Sequence, residues 1–273
     1  MCGLMGASGA LDLDVVRSLC CQNVTRGKDS AGMAWVENHK IKIEKVAQHP
    51  LVAFNTTLKS AMAHATKSGC MLGHTRQATT GHVTDKNAHP FLMSGLAFAH
   101  NGIIMNHEKF GKYEVDSQCL IHGIVKQNFS KFVGSIALIW IENGKLHAYR
   151  RGNPLHRGVI GNALYLASES VFLQRVGCKK IKELIEGTIY VFDHGKVKST
   201  KTIPKNKVWE YSTPHVTHQE MTFYPGYYRR QNLITSIENH LDRIPLEDGD
   251  PDELIDIKEI DKPNEDAPND PMA

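Results

Sequence analysis

The chain has 273 residues, of which 41% are hydrophobic and 22% are charged, and its formal net charge is +3. This composition is typical of a globular protein, and the length accommodates one large domain or two small ones. No apolar run approaches the ~20 residues that span a bilayer, and the first residues lack the basic start and long apolar core of a secretory signal. We therefore expect a cytoplasmic protein without a membrane segment.

The predicted elements are mostly strands, separated by a few helices. In chain order they are a strand over 3–8, a helix over 11–25, a hairpin of strands 30–36 and 40–46, a helical stretch over 50–67, strands over 70–75 and 95–100, a helix over 116–128, and strands over 133–141, 146–150, 163–167, 188–193 and 196–203. Blocks of strands with few helices favour an α+β layered domain over a doubly wound parallel sheet.

Charge is distributed unevenly along the chain. Residues 247–270 contain eleven acidic residues and two Lys, a net charge of −9, so the remainder carries +12. No basic and aromatic motif of nucleic-acid recognition accompanies this positive charge, and we expect no nucleic-acid partner. We predict a compact domain over 1–203, a C-terminal extension over 204–244 that serves as a docking or lid segment, and an acidic, disordered tail over 245–273.

The six cysteines and fifteen histidines show no spacing typical of a zinc site or a disulfide framework. We therefore expect reduced thiols, no metal and no organic cofactor. Cys2 is distinctive because removal of the initiator Met would leave one residue with both a thiol and a free α-amine. The thiolate is a nucleophile, and an α-amine with a pKa of about 7.7–8.0 can serve as its base. The structural alternative is a small apolar residue that begins a buried strand.

Five stretches after Cys2 combine polar residues that a purely structural loop would not need together. They are RGKDSAG at 26–32, GHTRQATTG at 73–81, NAHPF at 87–91, HNGIIMN at 100–106 and Asp116-Ser117-Gln118. Each stretch alone is typical of a turn or a helix cap. In this order after an N-terminal Cys, they resemble the class II glutamine amidotransferase domain, a member of the N-terminal-nucleophile (Ntn) hydrolases.

The resemblance covers roughly residues 2–200, includes the stretches 151–155 and 167–170, and is greatest to the glutaminase domain of glutamine–fructose-6-phosphate amidotransferase. It implies a four-layer αββα sandwich with two mainly antiparallel sheets. It also implies hydrolysis of the glutamine side-chain amide to glutamate and ammonia. The Cys2 thiolate would attack the amide carbon, its α-amine would pass the proton through a water to the leaving ammonia, and water would hydrolyse the resulting thioester.

The same resemblance assigns roles to individual residues. The side-chain amide of Asn101 and the backbone N–H of Gly102 would bind the tetrahedral oxyanion, and a glycine at 102 would keep a Cβ out of the substrate's approach. Arg76 would bind the carboxylate of L-glutamine, and Asp116 would bind its ammonium. Thr79 and Thr80 would add hydroxyl or backbone donors for the substrate near Arg76. Supporting roles fall to Arg26 bracing the Cys2 backbone, to Asp29 holding its turn, and to His74 and His100 orienting loops.

The sequence departs from its nearest resemblance in two ways. At the positions of Gln77 and Thr80, glutamine–fructose-6-phosphate amidotransferase has a Trp and a His. These differences put closure of a lid over glutamine in question. The chain also leaves no room for a sugar-isomerase, phosphoribosyltransferase or synthetase domain, so we expect a separate synthase chain to accept the ammonia. An oligomer is compatible with the sequence. Two alternatives stay open: an Ntn hydrolase of γ-glutamyl conjugates or other amides, and a non-catalytic glutamine-binding module.

Overall fold

The computed structural model describes residues 2–79 and 81–204, which form two stacked β-sheets. The first sheet has the strand order β11 (Lys179–Glu183), β9 (His156–Ile160), β10 (Ala163–Ala167), β1 (Gly3–Gly9), β4 (Cys70–Arg76), β2 (Ser30–Glu37) and β3 (Lys40–Val46). The second has the order β13 (Lys196–Thr202), β12 (Thr188–Asp193), β8 (Lys145–Arg151), β7 (Gly134–Glu142), β6 (Leu96–Ile104) and β5 (Phe91–Met93). Neighbouring strands in both sheets are antiparallel.

Helices cover the outer face of each sheet. The first sheet carries α1 (Leu13–Asn23), α2 (Pro50–Asn55), α3 (Lys59–Ser68) and α5 (Ser170–Arg175), and the second carries α4 (Ile121–Lys126) with the 3-10 helix Asp116–Leu120 that precedes it. A further 3-10 helix covers His107–Phe110. The layers therefore run helix, sheet, sheet, helix, which confirms the predicted α+β sandwich of two antiparallel sheets.

Apolar side chains fill the space between the two sheets and the space under each helical layer. Leu4 and Leu72 point between the sheets, whereas Met5 and Met71, one position along the same strands, point toward the helices. Both faces of β1 and β4 are thus buried, which explains why these strands lack the polar alternation of a half-exposed strand. Each fully buried Leu or Met contributes about 1.5–3 kcal/mol of transfer free energy.

The observed elements differ from the predicted ones in length more than in type. The N-cap carboxylate of Asp12 accepts hydrogen bonds from Asp14 N and Val15 N at 2.9 and 3.0 Å, so the first helix begins at 13 rather than 11. The helical stretch predicted over 50–67 contains two helices, α2 and α3. The strand predicted over 95–100 continues to Ile104, because its backbone keeps pairing with β7. The short elements β5, β9, β11 and α5 were not predicted.

The topology brings distant parts of the chain to one end of the sandwich. Cys2 immediately precedes β1, and Gly3 pairs with Thr75 near the end of β4. The end of β6, in the second sheet, lies opposite and carries Asn101. Thr80 and the predicted extension and tail at 205–273 lie outside the described residues.

Candidate active site

The Cys2 thiol lies at the end of the first sheet, beside the residue that follows β4. Its Sγ accepts a hydrogen bond from the backbone N of Gln77 at 3.2 Å and lies 3.4 Å from the Gln77 carbonyl oxygen. Burial raises the pKa of this thiol above its ordinary value, although the Gln77 contact and the positive charges of Arg76 and Arg26 oppose that shift. These groups favour the thiolate without outweighing the effect of burial.

The backbone carbonyl of Cys2 is held by a side chain from the loop after α1 and by one from β6. Arg26 Nε donates to this oxygen at 2.8 Å, and Asn101 Nδ2 donates to it at 2.7 Å. Arg26 in turn forms an ion pair with Glu169. The predicted brace of the Cys2 backbone by Arg26 thus has a direct contact, and the first residue of the sheet is fixed in position.

Asn101 makes hydrogen bonds through every polar group of its side chain. Its Nδ2 donates to Ser168 Oγ at 3.0 Å as well as to Cys2, and its Oδ1 lies 2.9 Å from His74 Nε2. Its backbone carbonyl accepts from Asn153 Nδ2 at 2.9 Å. Both amide hydrogens therefore have acceptors on the protein, and the amide must release one of them to bind a substrate oxyanion.

The two predicted supporting histidines are buried and neutral. Burial lowers the pKa of His74 to about 3. Its Nε2 faces two acceptors, Asn101 Oδ1 at 2.9 Å and His100 O at 3.2 Å, so the proton is assigned to Nε2. Burial also lowers the pKa of His100, whose ring nitrogens contact Ser117 Oγ at 2.8 Å and Ser135 O at 3.2 Å. Both rings connect neighbouring segments of the chain through hydrogen bonds.

Gly102 follows Asn101 in a conformation that a side chain would not tolerate. Its φ is +145°, and a Cβ would lie 2.0 Å from the Ser135 carbonyl oxygen and 2.6 Å from His100 Nε2. The resemblance implies a glycine at 102 because a glycine keeps the substrate's approach open. The structure supplies a different reason, which is the close contact of β6 with β7 and with the His100 ring.

Gly102→Ala is expected to lower the free energy of unfolding by about 3–5 kcal/mol, because it adds a backbone clash to an unfavourable φ. The measurement is urea denaturation followed by intrinsic fluorescence. Gly144→Ala is the matched control, since Gly144 has a φ of +72° and open space around its Cβ position. The control is expected to lose about 1–2 kcal/mol from its φ alone. Equal losses in the two variants would refute the clash.

Arg76 supplies a buried positive charge beside the thiol, and Asp116 supplies a buried negative charge that acts on Arg76. Arg76 at the end of β4 is 3% exposed and donates to His82 O at 3.1 Å. Burial lowers its pKa, and attraction by the charges of Cys2, Asp29 and Asp116 opposes that shift. Asp116 is 5% exposed and its Oδ2 accepts from Ile104 N at 2.7 Å. A cation and an anion in one cluster match the two charged ends of an amino acid.

Asp29 organises the segment that carries the Gln77 N–H. Its Oδ2 accepts from Ala78 N at 2.7 Å and from Gln77 Nε2 at 2.9 Å, and its own backbone N donates to Arg76 O at 2.9 Å. The Gln77 side chain, at the position where the resemblance implies a lid residue, is therefore bonded to Asp29. Thr79 is exposed, and Thr80 lies outside the described residues.

The structure adds four residues that the sequence argument left without a role. Ser168 bonds the Asn101 amide and Leu4 N, Glu169 pairs with Arg26, Asn153 bonds the Asn101 carbonyl, and His89 contacts His74. His89 belongs to the polar stretch 87–91, whereas the other three belong to 151–155 and 167–170, which were singled out only by resemblance. Their polar side chains next to predicted strand ends were the available signal.

Other kinds of site find little support in the described part of the chain. It contains no group of three or more His, Cys, Asp or Glu residues arranged to hold a metal ion. None of its helices is long and apolar enough to cross a membrane. A cavity of about 590 Å³ opens where the turn after β2 meets the turns after β5 and β7, and its lining contains none of the residues predicted for the site.

Comparison with known proteins gives relatives for this arrangement. The family model described as class II glutamine amidotransferases matches residues 1–116. The glutamine–fructose-6-phosphate aminotransferase (isomerizing) of Pectobacterium atrosepticum is 26% identical over 247 residues, covering 76% of this chain and 39% of the relative. That of Shigella flexneri is 34% identical over 229 residues, covering 71% of this chain and 37% of the relative. The chain thus spans about two fifths of the length of these relatives.

Two solved structures share the fold at 21% sequence identity. Glutamine phosphoribosylpyrophosphate amidotransferase from B. subtilis, complexed with ADP and GMP, has a TM-score of 0.63 over 75% of this chain and 50% of that chain. A structure described as the allosteric regulatory enzyme of purine biosynthesis has a TM-score of 0.64 over 75% of this chain and 49% of that chain. The match to the family model over residues 1–116 and the similarity to the curated relatives show that this chain contains a class II glutamine amidotransferase domain, and the two solved structures share its fold.

Proposed function

We propose that this domain hydrolyses the side-chain amide of L-glutamine through Cys2 and releases ammonia. The observation that carries the proposal is the 2.7 Å hydrogen bond from Asn101 Nδ2 to the Cys2 carbonyl oxygen, which brings an amide donor from the other sheet, 99 positions away, to the residue that carries the thiol. Arg76 adds a buried positive charge beside the thiol. A nucleophile, an amide donor and an anion-binding group are the parts that acyl transfer from an amino acid amide requires.

The reaction begins after Met1 is removed. The Cys2 thiolate attacks the amide carbon, and the tetrahedral oxyanion takes up donors from Asn101 and the Gly102 backbone. The carbon–nitrogen bond breaks as the α-amine of Cys2, through a water, returns the thiol proton to the leaving ammonia. Water then hydrolyses the glutamyl thioester, which yields glutamate and restores the thiol. The Gln77 N–H, 3.2 Å from Sγ, stabilises the thiolate between turnovers.

Two buried charges support an amino acid as the substrate. Arg76 would bind the α-carboxylate, since a guanidinium offers parallel donors, and Asp116 would bind the α-ammonium. Thr79 and Thr80, which follow Arg76 closely in the sequence, would add donors once glutamine is bound. A γ-glutamyl conjugate has the same α-carboxylate and α-ammonium groups, so such conjugates are the alternative class of substrate.

We propose further that ammonia passes to a synthase domain or chain outside these 273 residues. The matched relatives extend well beyond the aligned part, since the chain covers 39% and 37% of two of them. Within the chain, the extension at 204–244 is the segment we propose for docking that partner.

A labelling experiment tests the glutaminase proposal. A glutamine-mimicking diazo-ketone is expected to modify Cys2 alone among the six cysteines, with protection by excess glutamine, because Cys2 lies beside the positive charges of Arg76 and Arg26. Peptide mass spectrometry locates the label and reports whether Met1 is absent. Glutamine and γ-glutamyl peptides are then compared as substrates by ammonia release. Labelling elsewhere, or full activity with Met1 retained, would refute the mechanism.

A further inference from the structure

We infer that His89 is a positioning residue for this reaction, which acts through His74 on the side-chain amide of Asn101. The inference rests on the proposed function and concerns a residue outside the set that would touch glutamine. His89 belongs to the stretch NAHPF, which the mechanism above does not use. It is 3% exposed, and its Nε2 has no hydrogen-bond partner among the described residues.

His89 approaches His74 edge-on. The ring centroids lie 4.2 Å apart with an interplanar angle of 89°, and His89 Nδ1 is 3.3 Å from His74 Nδ1 and 3.2 Å from His74 Nε2. These nearly equal distances put Nδ1 over the face of the His74 ring. An N–H is attracted to the electron-rich face of an aromatic ring, whereas a lone pair is repelled by it. His89 Nδ1 is therefore assigned the proton.

This contact fixes the tilt of the His74 ring, because the His89 N–H lies over the ring face at nearly equal distances from its two nitrogens. In that orientation His74 Nε2 faces two acceptors, Asn101 Oδ1 and His100 O, which select the Nε2–H tautomer. Only the Nε2–H tautomer donates to Asn101 Oδ1, and that bond keeps the Asn101 NH₂ group directed toward Cys2. The other tautomer would present a lone pair to Oδ1 and would favour a flipped amide, which lacks the donor that an oxyanion needs.

His89 is itself firmly placed. Its ring packs edge-on against Phe91, with centroids 4.6 Å apart. Lys45 Nζ donates to the Ala88 carbonyl oxygen at 2.7 Å and lies 5.0 Å from the centre of the Phe91 ring. On the other side, β2 passes so close that a Cβ on Gly32 would lie 2.3 Å from the His89 carbonyl oxygen. Packing against Phe91 and β2 therefore fixes the position of the His89 ring against His74.

Burial and charge keep both rings neutral. Burial lowers the pKa of His89 well below its usual 6.5, and the neighbouring His74, His100, Arg76 and Lys45 lower it further. Burial is also the main reason why the pKa of His74 is about 3. Because both rings stay neutral, His89 orients His74, and His74 orients the Asn101 amide, without transfer of a proton. His89 is accordingly a positioning residue and not a proton donor in the reaction.

The test compares His89→Phe, which keeps an aromatic ring but removes the N–H, with His89→Gln, which restores a donor. We expect His89→Phe to lower kcat for glutamine roughly tenfold or more, because small displacements of reacting groups have effects up to about a hundredfold. KM for glutamine and the rate of Cys2 alkylation by iodoacetamide should stay within about twofold, since neither depends on the oxyanion donor. His89→Gln should recover part of kcat.

His147→Phe is the matched control for loss of a buried histidine, since that ring is 8% exposed and stacks on Trp140. Nitrogen-15 NMR of the His74 side chain gives a readout that needs no turnover. Wild type should show only the Nε2–H tautomer, and His89→Phe should show a mixture. A pure Nε2–H signal in His89→Phe, or losses of kcat no larger than in His147→Phe, would overturn the inference. If wild type fails to hydrolyse glutamine, the proposed function fails, and the NMR comparison alone decides the role of His89.

Discussion

Cys2→Ala is expected to reduce glutamine hydrolysis by roughly 10⁴- to 10⁶-fold, the range seen when a covalent nucleophile or its partner is removed from a hydrolase. No other described group is placed to substitute for the thiol, since the Gln77 backbone and the Asn101 amide beside it are not nucleophiles. The substituted residue would keep its α-amine, but a base without its nucleophile forms no thioester. Ammonia release from glutamine, measured with a coupled glutamate dehydrogenase assay, gives the rate.

Cys21→Ala is the matched control. Cys21 is another partly exposed cysteine, it lies on α1, and burial raises the pKa of its thiol. Its replacement is expected to leave glutamine turnover within about twofold, because a surface-proximal substitution away from the site costs little. Calorimetry should find that Cys2→Ala still binds glutamine, since Arg76 and Asp116 are unchanged. Equal turnover by Cys2→Ala and wild type would contradict the role of the Cys2 thiol as the nucleophile.

Asn101→Ala is expected to lower kcat by about 10²–10³-fold, the usual loss on removal of one oxyanion donor. KM for glutamine should change far less, because the groups proposed to bind its charged ends lie on β4 and at Asp116. The same change deprives His74 Nε2 of its 2.9 Å acceptor and Cys2 O of its 2.7 Å donor. A loss of about 1–3 kcal/mol in the free energy of unfolding should therefore accompany the loss of rate.

Two measurements separate these effects of Asn101→Ala. Denaturation curves set the temperature at which the variant is fully folded, and kcat is compared there. Single-turnover kinetics then report whether formation of the thioester is the step that slows. A normal rate of thioester formation in Asn101→Ala would show that Asn101 has only a structural role at the Cys2 carbonyl.

The core strands were predictable because their signal is local. The runs at 3–8, 70–75 and 163–167 are nearly all apolar or small, and they became the buried strands β1, β4 and β10 at the centre of the first sheet. The edge strand β11, of sequence KKIKE, was not predicted because it has one apolar residue and lysines typical of protected sheet edges. Its existence depends on pairing with β9 rather than on its own pattern.

The site shows the same division. The sequence by itself determined that Cys2 stands before a buried strand, that Arg76 and Asn101 directly follow predicted strands, and that Asp116 begins a predicted helix, because residue type and spacing are local properties of the chain. Only the tertiary structure decided which of these groups meet. Asn101, on the second sheet, donates to the Cys2 carbonyl oxygen beside the first sheet, and Asp29 accepts from the Gln77 side chain. The Ser135 carbonyl oxygen on β7 leaves no space for a side chain at Gly102. Contacts between residues far apart in sequence follow from sheet order and register, and local periodicity contains no information about either.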